Sequence, residues 1–336
     1  MVNCLVNSQS VQLGVPRMLI DLALQNLLSP AVLFFVIGVG AALARSDLAV
    51  PEPVARLLSL YLMMSIGFRG GLEIANHGIT WQLVTALVAG ASLSFAMPLL
   101  AFPALGALTH LPRVDRAAIA GHYGSISAVT FAAATGALTQ VGLPFEGFMV
   151  AVAASMETPA ILAALLLAGG SQSNQRGTVR EVLLNGSVLT LLGALVIGAV
   201  ASAKSAAPVK PFLVDLFPGF LCLFLLEMGL VAGRGLRDGR QYLKPGLVVF
   251  GLGSPLVGAS LALGLAWLVG LSAGGAAILM TLGASASYIA VPAALRMALP
   301  QAQLAIPLTM SLGITFPFNL LFGIPTYIGV AKAVLG

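Results

Sequence analysis

The sequence predicts an all-α polytopic membrane protein: ten transmembrane helices in two inverted five-helix repeats, with one interrupted helix in each half. Three observations predict it. Only 8% of the 336 residues are charged and 59% are hydrophobic, against about 25% charged in a soluble domain, so most of the surface must face lipid. Apolar runs of the length a ~30 Å hydrocarbon core demands recur along the whole chain. Short matching stretches also recur in the same order in both halves.

Taken in order, the first 17 residues are polar and lack the basic and apolar regions of a signal peptide. They read as a tail, followed by an amphipathic interfacial helix over Met18–Leu28, so residues 1–29 form one N-terminal region. Apolar runs then mark spans at 30–44, 54–70, 82–107, 115–138 and 145–169, the first repeat (30–169). A short cytoplasmic linker occupies 170–178. The second repeat (179–333) holds spans at 179–201, 211–233, 246–269, 274–297 and 302–331. With ten spans, five Lys and Arg fall on one side and eleven on the other, which places both termini outside and the linker in the cytoplasm. The high pI of about 9.6 comes from basic residues scattered singly through loops, which is not a nucleic-acid footprint. Cys4 and Cys222 are too few for a disulfide framework or a metal site.

The repeat is clearest in spans four and nine. Ala117-Ala118-Ile119 leading to Gly124 matches Ala276-Ala277-Ile278 leading to Gly283 at an offset of 159 residues. Gly90-Ala91-Ser92-Leu93 similarly matches Gly258-Ala259-Ser260-Leu261, and Glu157-Thr158-Pro159 faces Thr315-Phe316-Pro317. Five spans per half is an odd number, so the second half enters from the opposite side. Inverted repeats of this kind mark secondary transporters, with the site at the repeat interface.

Spans four and nine carry glycine and small hydroxyl residues at mid-membrane: Gly121 to Thr130, with Gly124, Ser125, Ile126 and Ser127, and Gly283 to Pro292, with Ala284, Ser285, Ala286 and Ser287. Helix breaks survive in lipid only where the freed backbone is buried in protein or lines a wet cavity. Half-helix N-termini there attract an anion through free N–H groups and dipole ends. The competing reading is close helix packing by small residues; two interruptions at matching positions favour a binding site. Two carboxylates, Glu157 and Glu227, lie inside apolar runs, where an ionised side chain costs at least ~2.5 kcal/mol without a partner or cavity. Hard cations take oxygen ligands, so Glu157, Thr315 and the hydroxyls of spans four and nine, among them Ser127 and Thr130, are candidate sodium ligands. His122 is a proton-sensitive group or a hydrogen-bonded structural histidine, Asn319 an interhelical hydrogen-bonder, and Tyr288 a side chain that shapes the site. No Walker A, HExxH or Gly-x-Ser-x-Gly sequence occurs; the residues point to a gradient-driven transporter and not to an enzyme. Ser127 with His122 is the one pair an intramembrane hydrolase would use.

The run Gly121-His122-Tyr123-Gly124-Ser125-Ile126-Ser127-Ala128-Val129-Thr130 resembles the GxxGxxSxxT run of sodium-dependent bicarbonate transporters of the cyanobacterial SbtA type. Pro144-Phe145-Glu146 with Met156-Glu157-Thr158-Pro159-Ala160, and Ser285-Ala286-Ser287-Tyr288-Ile289 with Pro292, Leu295-Arg296 and Pro300, are similar to further segments of that family. The resemblance covers nearly all of the chain after the tail, and the chain looks like a member from a non-photosynthetic bacterium. It implies a fold of the sodium/bile-acid symporter kind with two crossing broken helices, a homotrimer in the bacterial inner membrane, and sodium-coupled uptake of bicarbonate by alternating access. The anion would lie at Gly124–Ser127 and Gly283–Ser287, with sodium near Ser127, Thr130, Glu157 and Thr315. The alternative is another small anion, such as a short carboxylate, coupled to sodium or protons. Two features depart from the family: Tyr288 stands where cyanobacterial members carry aspartate, and the central loop shrinks to about ten residues around Gly170 to Arg180. That loop is where a PII-like regulatory partner of the family would act.

Overall fold

A computed structural model describes residues 24, 27–77, 80–169, 186–239, 242–288 and 290–336. The tail, most of the interfacial helix expected over Met18–Leu28, and the 170–178 linker lie outside the described residues. Among the described residues every regular element is helical. The longer ones, in chain order, are α1 (Pro30–Leu43), α2 (Glu52–His77), α3 (Trp81–Leu108), α4 (Arg113–Gly124), α5 (Ala128–Gln140), α6 (Met149–Ala168), α7 (Gly186–Val200), α8 (Phe217–Asp238), α9 (Pro245–Val269), α10 (Ala273–Ala284), α11 (Ala290–Ala298) and α12 (Ala305–Leu335), with a single helical turn at Ala203–Ala206 between α7 and α8. Six of them, α2, α3, α6, α8, α9 and α12, are long and apolar enough to cross a bilayer.

The expected spans four and nine are each two short helices, α4 with α5 and α10 with α11. A 12-residue helix such as α4 reaches only about 18 Å, so neither piece spans alone. Span seven, read as starting at 211, opens with a π-helical turn (Pro211–Asp215) before α8 begins. Span ten is one rod with two π-turns, Ser311–Thr315 and Asn319–Gly323, on either side of Pro317.

Helix pairing follows the small residues. In lipid, apolar helices gain nothing by hiding from water, so close backbone approach must hold them. Accordingly α1 lies along α8, and α2 along α7. A Cβ placed on Gly38 would stand 3.0 Å from Gly229 Cα; one placed on Gly198 would stand 3.1 Å from Gly71 Cα. These two glycine seams build one panel. In the rest of the molecule, α3 packs on α4, α9 on α10, and α3 on α9. All twelve residues of α10 are buried, which its Ala- and Gly-rich sequence permits. Gly124 backs onto Pro98 and the Ser94 carbonyl, and Gly283 onto the Gly258 carbonyl. Gly90, by contrast, backs onto Val152 and Met156 of α6. The similar stretches at Gly90 and Gly258 therefore do not occupy equivalent places.

Both broken helices are anchored at their starts by the opposite half. The Ser272 N–H and hydroxyl donate to the two Glu146 carboxylate oxygens (2.7 and 3.0 Å), and Ser272 Oγ accepts from the Gly275 N–H at 3.1 Å, capping α10. Glu146 lies in the connection that follows α5. Reciprocally, Asp115 in the first turn of α4 accepts the Gln303 N–H (2.8 Å) from the connection that follows α11.

Candidate functional site at two helix breaks

The first break is Ser125-Ile126-Ser127. Its local cause is capping: Ser127 is extended, with φ −104 and ψ 112, and its hydroxyl accepts the Thr130 N–H at 3.2 Å, starting α5. The second break follows Ala284 and includes Ser285, Ala286 and Ser287. Pro292 does not make it; it sits in the first turn of α11, where a missing N–H removes no helix bond.

The two breaks meet. The Ser127 N–H donates to Ser285 Oγ (2.9 Å), and the Ser287 N–H donates to the His122 carbonyl (2.8 Å). His122 Nδ1 lies 2.6 Å from the Ser287 carbonyl; a carbonyl only accepts, so Nδ1 carries the proton. Ser285 Oγ in turn donates to the Leu282 carbonyl (2.8 Å). Ser125, Ser127, Ser285 and Ser287 are all buried, as are Ile126 and Ala286. Backbone groups released by one interruption are thus satisfied by the other, which a lipid-surrounded chain requires.

Polar contacts continue outward on both sides. Ser125 Oγ donates to Glu157 Oε2 (2.8 Å), at the kink where α6 is interrupted at Met156, and Ser94 Oγ holds the Met156 carbonyl. On the other side Asn319 Nδ2 donates to the Ala284 carbonyl (2.8 Å) and Asn319 Oδ1 accepts the Tyr327 hydroxyl (2.9 Å). The expectation of an interhelical bond from Asn319 is met. Tyr288 is half-buried, its hydroxyl 3.6 Å from Met228 Sδ and within reach of the Ser127 hydroxyl.

The candidate residues come together unequally. Gly124 to Ser127, Ala284 to Ser287 and Glu157 form one connected cluster, and Thr130 joins it through Ser127. Gly124 and Gly283 serve it as close-approach positions against α3 and α9. Thr315 is engaged elsewhere: its Oγ1 donates to the Gly251 carbonyl (2.9 Å), so the Tyr123 hydroxyl at 2.6 Å is its donor. Among the described residues, buried polar atoms with no hydrogen-bond partner include His122 Nε2, Thr130 Oγ1 and Glu227 Oε2. Thr130 Oγ1 beside Ser127 is an open oxygen of the kind a hard cation takes. Glu227 neighbours Met228, the residue Tyr288 touches. Tyr123, Tyr327 and Ser94 carry no pattern in the sequence that announces their roles; they become visible only through their partners.

Compared with known protein families, residues 30–332 match the model of the Na+-dependent bicarbonate transporter superfamily. No curated protein matches the chain.

Proposed function

The chain belongs to the Na+-dependent bicarbonate transporter superfamily, a transporter and not an enzyme, and from that premise we propose that it takes up bicarbonate together with sodium by alternating access. The observation that carries the reading is the meeting of the two breaks, Ser127 N–H on Ser285 Oγ and Ser287 N–H on the His122 carbonyl. A small planar monoanion suits a site built from backbone dipoles and serine hydroxyls, Gly124 to Ser127 with Gly283 to Ser287. Sodium suits the oxygen set beside it: Ser127 and Thr130 hydroxyls with the Glu157 carboxylate. Thr315, its hydroxyl already held by Gly251 and Tyr123, shapes that region by positioning Tyr123.

Ten spans in two inverted repeats account for the reciprocal packing: α1 on α8 against α2 on α7, α3 on α4 against α9 on α10, and α6 on α4 against α12 on α10. In the cycle, the crossing unit of α3–α6 and α9–α12 moves against the panel of α1, α2, α7 and α8. Cation and anion travel together, because sodium offsets the negative charge that would otherwise cross a low-dielectric core. The face bearing Arg69, Lys204 and Lys210 is the outer one, and the protein works as a trimer in a bacterial inner membrane.

Uptake of labelled bicarbonate into proteoliposomes, with and without an inward sodium gradient, tests this. Wild type should accumulate bicarbonate only with sodium, and Ser127→Ala should lose most of the uptake. Sodium-independent uptake sinks the coupling. Uptake of a short carboxylate such as formate in place of bicarbonate sinks the substrate.

A further inference from the structure

Away from the breaks, a cavity of about 670 Å³ opens between the panel and the crossing unit, walled by Arg69 and Glu73 of α2, Thr135 and Thr139 of α5, Phe145, and Lys210 ahead of α8. Panel and crossing unit touch at its rim through glycines: a Cβ on Gly147 would come within 2.7 Å of the Gly70 carbonyl. Thr135, on the cavity wall and 4% exposed, lies five residues beyond Thr130, about 7.5 Å along α5. The cavity wall and the first break thus share one helix, α5, with Thr130 and Thr135 turned about 140° apart on it.

Its cations come from two separate elements. The Arg69 guanidinium lies 5.7 Å from the centroid of the Phe217 ring, and Lys210 is exposed at the mouth. A guanidinium is weakly hydrated and presents planar paired donors that fit a carboxylate-like anion. Glu73, on the same wall, and Asp215 both lie within electrostatic range of Arg69, Glu73 acting on it the more strongly. These carboxylates temper the positive field, which fits a station that must release what it collects.

We infer that this cavity is an anion-gathering vestibule, in which Arg69 and Lys210 capture a planar monoanion before it passes along α5 to the breaks. The inference rests on the transport reading above and adds to it a second, outer anion site. Oppositely charged clefts raise the encounter rate of a small ion, and salt screens that gain.

The test is sodium-driven bicarbonate uptake by full-length protein in proteoliposomes, with KM and maximal rate measured at low and high ionic strength. Arg69→Gln should raise the low-salt KM about tenfold and Lys210→Gln about threefold, with maximal rates within about twofold of wild type; both should flatten the salt dependence. Arg69→Lys, which keeps the charge and loses the paired donors, should restore the salt dependence and only part of the KM, and Arg56→Gln, at an exposed ion pair with Glu52, should match wild type. Unchanged KM and salt dependence in Arg69→Gln and Lys210→Gln overturn the vestibule. So does an Arg69→Lys variant whose salt dependence is as flat as that of Arg69→Gln, since the charge at this position would then play no part in capture. Lys210, being exposed, carries the test alone if Arg69→Gln does not fold. Absence of bicarbonate uptake by wild type overturns instead the transport reading, and the vestibule with it.

Discussion

The two breaks share a serine pattern and differ in what braces them. Ser125 and Ser127 correspond to Ser285 and Ser287, one residue away from the 159 offset of the preceding helices. Ser125, however, hands its proton to the carboxylate of Glu157, whereas Ser285 hands its own back to Leu282 and accepts the Ser127 N–H. The neighbour of the second break is the amide of Asn319, which holds the Ala284 carbonyl and gains the Tyr327 hydroxyl. One break therefore adjoins an ionisable carboxyl group, and the other adjoins a neutral amide. In the sodium-coupled cycle we propose, the first half would supply the cation side of the crossing and the second half geometry.

That assignment is easiest to break at Glu157. A hydrogen bond to a charged group contributes about 1.5–3 kcal/mol, so Glu157→Gln should lower sodium-driven uptake roughly 10- to 150-fold. Sodium titration of bicarbonate uptake checks it, and an unaltered sodium requirement would make Glu157 merely structural. Next comes Asn319→Ala, which leaves the Ala284 carbonyl and the Tyr327 hydroxyl unpaired. A loss of about 1–3 kcal/mol should appear in thermal or denaturant stability of the detergent-solubilised protein, while half-saturating sodium stays at the wild-type value. A change in sodium affinity here would erase the contrast between the breaks. Ser285→Ala strands the Ser127 N–H at a net cost of about 1 kcal/mol, and the expected sign is a KM for bicarbonate raised about fivefold. Smallest is Ser125→Ala. It removes one donor to Glu157 while leaving the carboxylate, and should raise half-saturating sodium by only about two- to threefold. If Ser125→Ala shifted the anion KM and Ser285→Ala the sodium dependence, the assignment would be reversed.

Much of this was legible in the sequence, for definite reasons. Hydropathy reports length and continuity, so α3, α6 and α9 match the expected runs within a few residues. The interruptions were visible through Gly124, Ser127, Ser285 and Ser287. The mechanism was not: the structure makes the breaks with serine caps and partner backbone, while Pro292 sits in the first turn of α11, where proline is neutral. The Gly90 and Gly258 resemblance misled because alanine- and glycine-rich helices repeat short words by chance; only the surfaces they back onto tell them apart. Thr315 stood out because Thr315-Phe316-Pro317 parallels Glu157-Thr158-Pro159, and only the structure shows its hydroxyl donating to the Gly251 carbonyl. The reach of Glu146 to Ser272 spans 126 residues of chain, beyond any local pattern.

The glycine seams of the panel have a consequence of their own. No side chain stands between Gly38 and Gly229, or between Gly71 and Gly198, so contact there consists of backbone against backbone and involves no titrating group and no rotamer to order. Attraction of that kind falls off steeply with a fraction of an ångström of separation. The two glycine contacts should therefore tolerate acid, salt and changes of lipid headgroup without loosening, and should let each helix pair answer a thinner or thicker bilayer by tilting together. A single methyl group at any of the four glycines would be felt across the full height of its pair.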